Sequence, residues 1–305
     1  MKASTITRRQ HYVWKHYLRA WEQQGRVCVQ RKDGRQFDTS ADNIAVMRDF
    51  YRLPILSEED EAFIRCYIDT INRPMLRDLS MGWLDTIAAP SRLRRSLEQR
   101  GINEAEMQAE IEKVEIQSEE SFHSGIESDA VRLLDELRSG RIDLWGNDDD
   151  VMDFAFFLSL QHVRTKRMQD LIAAGYAEGP EREAMLRRWP VLRLVSATNM
   201  AWSIFAERAD WRLRVLKAPG QIGFVTSDQP TQNVLPGDCH DSLALFYPVG
   251  PRSAVLLEHA RNESVVGEDD DLSDGAVDAL NRKTYDYSHE QVFGTDLEYL
   301  ASIAD

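Results

Sequence analysis

The spacing of apolar residues changes twice along the 305-residue chain, and this double change limits the folds open to it. Near both ends apolar and polar residues alternate with a period of two, as half-buried strands do; between them they recur at i, i+3, i+4 and i+7, as one face of a helix does. "RVCVQR" and "RQFDTS" flank "KDG", and Asp33-Gly34 is a tight-turn signal, so this stretch predicts a hairpin. "NIAVMRDFYRL" continues as an extended segment. Ser57 and Asp60 then approximate a capping box in front of "EAFIRCYIDTI", and helical patterning follows to about residue 207. "WRLRVLKAP", "GQIGFVTSD", "LALFYPVGP" and "SAVLLEHA" return to the strand period. "SDGAVDALNRKTYDYS" predicts a helix capped by Ser273, and "EQVFGTD" a last strand. The expected fold class is therefore α+β: a mixed or antiparallel sheet built from the N- and C-terminal segments (1–55 and 208–298) with a large helical insertion (57–207). No internal repeat or low-complexity linker interrupts the chain, so a single domain over 1–305 is expected.

The opening stretch "HYVWKHYLRAW" places Trp14, Tyr17, Leu18 and Trp21 on one helical face, with Lys15 and Arg19 on another. The formal net charge is −14, which discourages a general nucleic-acid coat. The first 35 residues nevertheless carry nine Lys or Arg against Glu22 and Asp33, leaving 28 basic and 49 acidic side chains for the rest. That asymmetry permits an anion site, for a small anionic ligand or nucleic acid, at the start of the chain. It equally permits a basic strip that pairs with acidic groups of the same molecule. Cys28, Cys66 and Cys239 are odd in number and far apart, which fits reduced thiols in a cytoplasm better than a disulfide framework. No apolar run approaches a membrane span, and "MKASTITRRQ" has no apolar region behind its charges, so neither a membrane anchor nor a secretory signal is expected. Oligomeric state is not legible in the sequence.

Polar residues of catalytic type gather at three places. Phe154, Phe157, Leu158, Gln161, Thr165 and Met168 follow a helical rhythm, so an apolar stripe runs into Gln161, Arg164 and Thr165. An amide and a guanidinium buried there must meet acceptors, either an internal carboxylate or a ligand anion. In "GFVTSDQP", Ser227 and Asp228 stand at the end of an apolar strand, where Asp228 can act as a base, bind a divalent metal or hold the backbone of a nearby turn. His11, just before the first helix, can exchange a proton near neutrality or bind phosphate, or simply pack. Cys239, His240 and Asp241 are consecutive, so their side chains diverge, as in a loop. Phosphate-loop, dinucleotide, HExxH and GxSxG motifs are absent, and "GEDDDLSDG" misplaces the glycine of a calcium loop. As a nuclease motif, Asp228 with Glu258 fails at Ala260, where a lysine is required.

In this order, "QHYVWKHYLRAW", "NIAVMRDFY", "ESFHSGIESDAVRLL", "FLSLQHVRTKRM", "FVTSDQP", "LFYPVGP" and "LNRKTYDYS" resemble the landmarks of an uncharacterised, mainly bacterial family, the domain of unknown function numbered 4238. The family has no established reaction, so the resemblance implies positions and no chemistry. His11, Tyr12, Tyr17, Gln161, Arg164, Thr165, Ser227, Asp228, Pro230, Pro248 and Asn281 match; Trp14 departs, standing where the family usually has proline. Two functions are expected from different classes. One is a hydrolase or nuclease-like phosphodiesterase on a nucleotide or nucleic-acid substrate, with His11, Gln161, Arg164 and Asp228 catalytic and Tyr12, Arg164, Thr165, Ser227 and Asn281 contacting substrate. The other is a non-enzymatic binding or sensing module for a partner protein or a small anion.

Overall fold

A computed structural model describes residues 6–235 and 243–304. In chain order it contains β1 (Arg9–His11), α1 (Lys15–Leu18), β2 (Val27–Arg31), β3 (Gln36–Thr39), β4 (Val46–Arg48), α2 (Glu58–Asp69), α3 (Pro74–Gln99), α4 (Ala105–Arg138), α5 (Asp148–Val163), α6 (Lys166–Ala174) and α7 (Pro180–Ala206). The chain then returns to strands with β5 (Trp211–Lys217), β6 (Thr226–Ser227), β7 (Gln232–Asn233), β8 (Ala244–Gly250) and β9 (Ser253–His259). It ends with α8 (Asp274–Tyr287), β10 (Gln291–Gly294) and α9 (Leu297–Ser302). The α+β class holds. Among the described residues, however, the strands form three sheets rather than one: β1-β4, β3-β2-β10-β6 and β5-β9-β8-β7. None of these helices is long and apolar enough to cross a membrane.

The chain divides into two compact units, each woven from separated segments. The first comprises Met1–Gln10, Met47–Ser128 and Met168–Met200; the second comprises His11–Val46, Asp129–Arg167 and Ala201–Asp305. The helical stretch expected as one insertion is thus shared, and α5 belongs to the sheet-bearing unit.

In that second unit the β2–β3 hairpin forms where Asp33-Gly34 predicts it. Val27 pairs with Thr39 and Gln30 with Gln36, and Gly34 takes a φ of 86°, a conformation that favours glycine. β10 joins β2 antiparallel, with Val292 opposite Gln30 and Phe293 opposite Val29, so one sheet is completed by residues from both ends of the sequence. Gly294 lets α9 approach closely, since a Cβ there would stand 3.1 Å from the Leu300 side chain. The other large sheet is wholly C-terminal, and α8 covers it through Val277 and Leu280 against Leu216, Phe246 and Leu256. "GQIGFVTSD" yields only the two-residue β6. Its earlier part is held by a side chain instead, because Asn281 Oδ1 accepts from Val225 N (3.0 Å) and Nδ2 donates to Gly223 O (2.9 Å). The opening aromatic face is buried as expected at Tyr17, Leu18 and Trp21, though α1 is one turn long and tightens into a 3-10 turn over Arg19–Trp21. Tyr17 bonds Thr226 Oγ1 (2.6 Å) and stacks on Tyr247, and Trp21 Nε1 donates to Phe224 O (2.8 Å).

The first unit is helical, and four of its buried carboxylates are held by arginines. Ser57 and Asp60 form the expected capping box on α2, and the same Asp60 carboxylate is gripped by Arg187 (3.0 Å) and Arg188 (2.8 Å). Glu61 meets Arg92 (2.8 Å) and Arg95, Glu115 meets Arg94 (2.6 Å), and Glu119 meets Arg193. Burial alone would raise these carboxyls, but the arginines hold Asp60, Glu61 and Glu119 below the usual carboxylate range. A depressed folded-state value contributes stability that is present above the unfolded value and is lost as pH falls through the folded one. The contribution of these three carboxylates to the unfolding free energy, read as the difference between the chain and its amide variants in urea, is therefore expected to be flat from pH 7 to about 5 and to drop below about pH 4. Glu61→Gln, whose arginine partners are partly solvated, should cost about 2–3 kcal/mol at pH 7 and little at pH 3. A mutational cost independent of pH would show that these pairs do not carry the acid sensitivity.

Candidate functional site

The expected site residues all lie in the sheet-bearing unit, with His11 the first residue of its opening segment. Their surroundings differ. Asp228 follows β6, is 2 % exposed, and spends its carboxylate on the backbone. Oδ1 accepts from His289 N (2.8 Å), and Oδ2 accepts from Glu290 N (2.6 Å) and Gln291 N (3.0 Å). The Asp228 N–H in turn donates to Gln291 O (3.1 Å). Asp228 thus locks the entry of β10 onto β6. Burial pushes this carboxyl up, while the three amides and nearby His289 pull it back toward the charged form. This is the backbone-holding role among those expected of it, although the backbone belongs to residues 289–291 and not to the Pro230 turn.

Tyr12 stands beside this lock. Its hydroxyl accepts from Gln291 Nε2 (3.2 Å), and burial together with the Asp228 and Glu290 carboxylates raises the phenol far above its ordinary value. His11 turns its ring toward the 41–43 turn, where Nε2 lies 3.3 Å from Ala41 O; a carbonyl only accepts, so Nε2 is the donor in that contact. Ser227 Oγ donates to Gln229 O (2.9 Å) and accepts from Gln229 N (3.1 Å), closing a local turn. Asn281 is 0 % exposed, and its Nδ2 also donates to Tyr299 Oη (2.9 Å), so its amide is fully employed as a brace.

The helical patterning of 149–175 breaks where Gln161, Arg164 and Thr165 gather. α5 ends with Arg164 as its C-cap, and α6 restarts at Lys166. Gln161, Arg164 and Thr165 are each at most 2 % exposed. Thr165 Oγ1 donates to Gln229 Oε1, whose Nε2 donates to His162 O (3.0 Å) and Thr231 O (3.0 Å). His162 Nδ1 also donates to Thr231 O (3.1 Å), and burial lowers its pKa, so the ring is held neutral. Gln229, which sequence reasoning passed over, ties the 226–231 segment to α5 together with the His162–Thr231 bond. Gln161 Nε2, Thr231 Oγ1 and Gln232 Oε1 are buried without partners among the described residues.

The basic opening is largely spent internally. Arg8 pairs with Asp49 (2.7 Å), Lys15 with Asp42 (2.9 Å), Arg26 with Asp38, and Arg31 and Arg35 with Asp33 (3.5 and 2.6 Å). Lys32 donates to Tyr285 O (2.5 Å) and lies over the Tyr285 ring. Glu258, the second carboxylate of the failed nuclease motif, is buried on β9 with Arg212 (3.3 Å) and Arg214 (3.4 Å). Among the described residues no group of three His, Cys, Asp or Glu is placed to hold a metal ion. Cys239, His240 and Asp241 lie outside the described residues.

Two cavities bear on ligand binding. One, about 590 Å³, lies in the sheet-bearing unit between β7 and α8, and its described lining has one cation, Lys283, and one anion, Asp286. The other, about 250 Å³, lies in the helical unit and was not foreseen. Its wall includes Arg52, Arg187 and Arg193 against one carboxylate, Glu119, with Phe50, Gln169 and Trp189 around them. The carboxylates that neutralise Arg187 and Arg52 — Asp60 (3.0 Å) for the first, Glu112 (3.4 Å) and Glu115 (3.5 Å) for the second — are not part of the lining. Leu186 and Pro190 also line it, and Pro190 has no N–H to give the Leu186 carbonyl one turn back. A proline inside "RRWPVLR" was the available sequence signal.

Residues 9–298 match the family model described as protein of unknown function (DUF4238), and the chain belongs to that family. Comparison with curated proteins and with solved structures returned no match.

Asp228→Ala would leave the three amides of 289–291 without their acceptor. It is expected to lower the unfolding free energy by about 3 kcal/mol in urea titration, as loss of a charged hydrogen-bond acceptor from buried donors does. A change under about 0.5 kcal/mol would show that water replaces the carboxylate freely.

Proposed function

We propose that this protein is a binding module for a small anion, received in the arginine-lined cavity of the helical unit. The observation that carries the reading is the composition of the wall: three guanidinium groups against one carboxylate, the carboxylates paired with Arg52 and Arg187 not being among the lining residues. Arginine presents planar forks of N–H donors suited to carboxylate and phosphate oxygens, and its low hydration suits a partly enclosed site. A volume of about 250 Å³ suits a small ligand and excludes a polymer from the interior. The internal pairing of Arg8, Lys15, Arg26, Arg31 and Arg35 weighs against the N-terminal strip as the anion's receptor.

A second reading, a phosphodiesterase acting on a nucleotide or nucleic acid at the end of α5, is favoured by one observation. Gln161 Nε2 is buried with no partner among the described residues, in the helix end that also holds Arg164. It would show as hydrolysis of DNA, RNA or nucleotides by the purified protein, abolished by Gln161→Leu at unchanged stability.

The anion reading is tested by calorimetric titration with phosphate and sulfate at low ionic strength. Saturable binding is expected, with an affinity reduced about tenfold or more by Arg187→Gln, the loss of one charge-assisted contact. Binding that persists unchanged in Arg187→Gln would place the anion elsewhere.

A further inference from the structure

The solvent side of α3 carries an uncharged, largely apolar seam. Met75, Leu79, Gly82, Thr86, Ala89 and Leu93 follow one another at alternating spacings of four and three residues, the repeat by which two helices pack as a coiled coil. All six are exposed, and the three large ones, Met75, Leu79 and Leu93, keep 48, 49 and 47 % of their surface in water. The opposite side of α3 is apolar as well and is buried, through residues such as Leu84 and Leu97. A helix at a protein surface ordinarily has one apolar face, turned inward, so a second one turned outward marks a contact surface. Two hollows border it. One, about 730 Å³, runs along the N-terminal half of the seam beside Trp83; the other, about 300 Å³, runs along the C-terminal half and is walled on α4 by Met107, Ile111 and Val114.

The sizes and charges along the seam fit a second copy of the same helix running the other way. A two-fold axis level with Leu84 sets Met75 against Leu93 of the second copy, Leu79 against Ala89, and Gly82 against Thr86, each pair occurring twice. Helices that cross at an angle are closest at the crossing point and diverge from it. Here the small residues Gly82 and Thr86 stand at the crossing and the bulky Met75 and Leu93 stand at the ends. A parallel pair would set Leu79 against Leu79 next to Gly82 against Gly82, a wide layer beside an empty one. On one flank Asp78, Asp85 and Arg92 recur every seven residues, and the antiparallel arrangement brings Asp78 beside Arg92 of the second copy at both ends. The two Asp85 carboxylates meet near the axis, where each is already neutralised by its own Arg92 (2.9 Å). Pro90 is buried on the inner side of α3, so its ring does not stand in the seam.

We infer that α3 is the interface of an antiparallel homodimer, in which Met75 and Leu79 of each copy lie over the hollow between α3 and α4 of the other. This inference does not depend on the anion-binding reading. The seam is about 27 Å long, which is short for a permanent interface. The association is therefore reversible, with an expected dissociation constant of about 1–100 μM.

The test is sedimentation equilibrium on the intact chain over a range of concentrations. A shift from the mass of one chain to that of two is expected, and Leu79→Lys, which puts a charge into two layers of the seam, should weaken it more than about tenfold. Because Leu79 is half exposed, the urea midpoint of the variant should match that of the unaltered chain under conditions where both are monomeric. A single-chain mass at every concentration up to about 1 mM, where even a weak complex forms, would overturn the inference and leave the seam to another partner. A dimer of unchanged affinity in Leu79→Lys would overturn it too, by placing the contact elsewhere. The register is read by cysteine cross-linking under mild oxidation, with the unaltered chain as the control for its own thiols. Leu79→Cys chains mixed with Ala89→Cys chains should give a disulfide-linked dimer, and neither variant alone should, since the two copies of position 79 lie about 15 Å apart along the axis. Cross-linking of Leu79→Cys with itself, or none in the mixture, would overturn the antiparallel pairing even if Leu79→Lys failed to fold.

Discussion

A carboxylate taken out of water must be met by hydrogen-bond donors, and much of this structure follows from how that demand is satisfied. In the helical unit Asp60, Glu61, Glu115 and Glu119 are buried on α2 and α4, and every one is gripped by arginine side chains from α3 or α7. Removing one partner of such a pair strands the other, so each pair penalises any packing that separates the helices it joins. Asp60 meets two demands at once, closing the capping box of α2 and anchoring Arg187 and Arg188 of α7. In the sheet-bearing unit Asp228 meets the same demand with backbone amides instead of guanidinium, joining β6 to the start of β10.

The candidate binding site grows out of this arrangement. On α7, Arg187 pairs with Asp60 and Arg193 with Glu119, and Trp189 and Pro190 lie between them along the helix. Cations recruited for stability thereby line a small cavity. Glu119 differs from the other three carboxylates in two respects: its Oε2 has no partner among the described residues, and it alone of the four lines the cavity.

Much of the fold was legible in the residues. The Asp33-Gly34 hairpin, the Ser57 capping box, the Ser273-capped helix and the β8–β9 strand pair all appear where local signals put them. Those signals act within a few residues, and no distant partner overrides them. Where distant partners do intervene, local reading runs out. "GQIGFVTSD" has strand patterning, yet the Asn281 amide takes the backbone groups of Gly223 and Val225 that a ladder would need. The helical rhythm of 149–175 continues through Arg164 and Thr165, yet the helix breaks there, where Thr165 bonds Gln229. Of the expected site residues, Tyr12 and Asp228 do meet around Gln291, and Thr165 meets the turn that Ser227 closes. The role of Asp228 as a lock on β10 was invisible, because the amides it binds lie 61 to 63 residues away along the chain.

By itself, then, the sequence determined the α+β class, the order of elements, their caps and turns, and the burial of Tyr17, Leu18 and Trp21, all consequences of periodicity and short-range hydrogen bonding. It also contained the family's landmarks in their order. Only the tertiary structure decided that the strands divide into separate sheets, and that Arg8, Lys15, Arg26, Arg31 and Arg35 are paired within the molecule. Only the tertiary structure brought Arg52, Glu119 and Arg193 to one wall. The physical reason is that an ion pair leaves no periodic trace. Any arginine satisfies any carboxylate, and which of the 37 basic side chains serves which of the 51 acidic ones is settled by the packing of the chain in space.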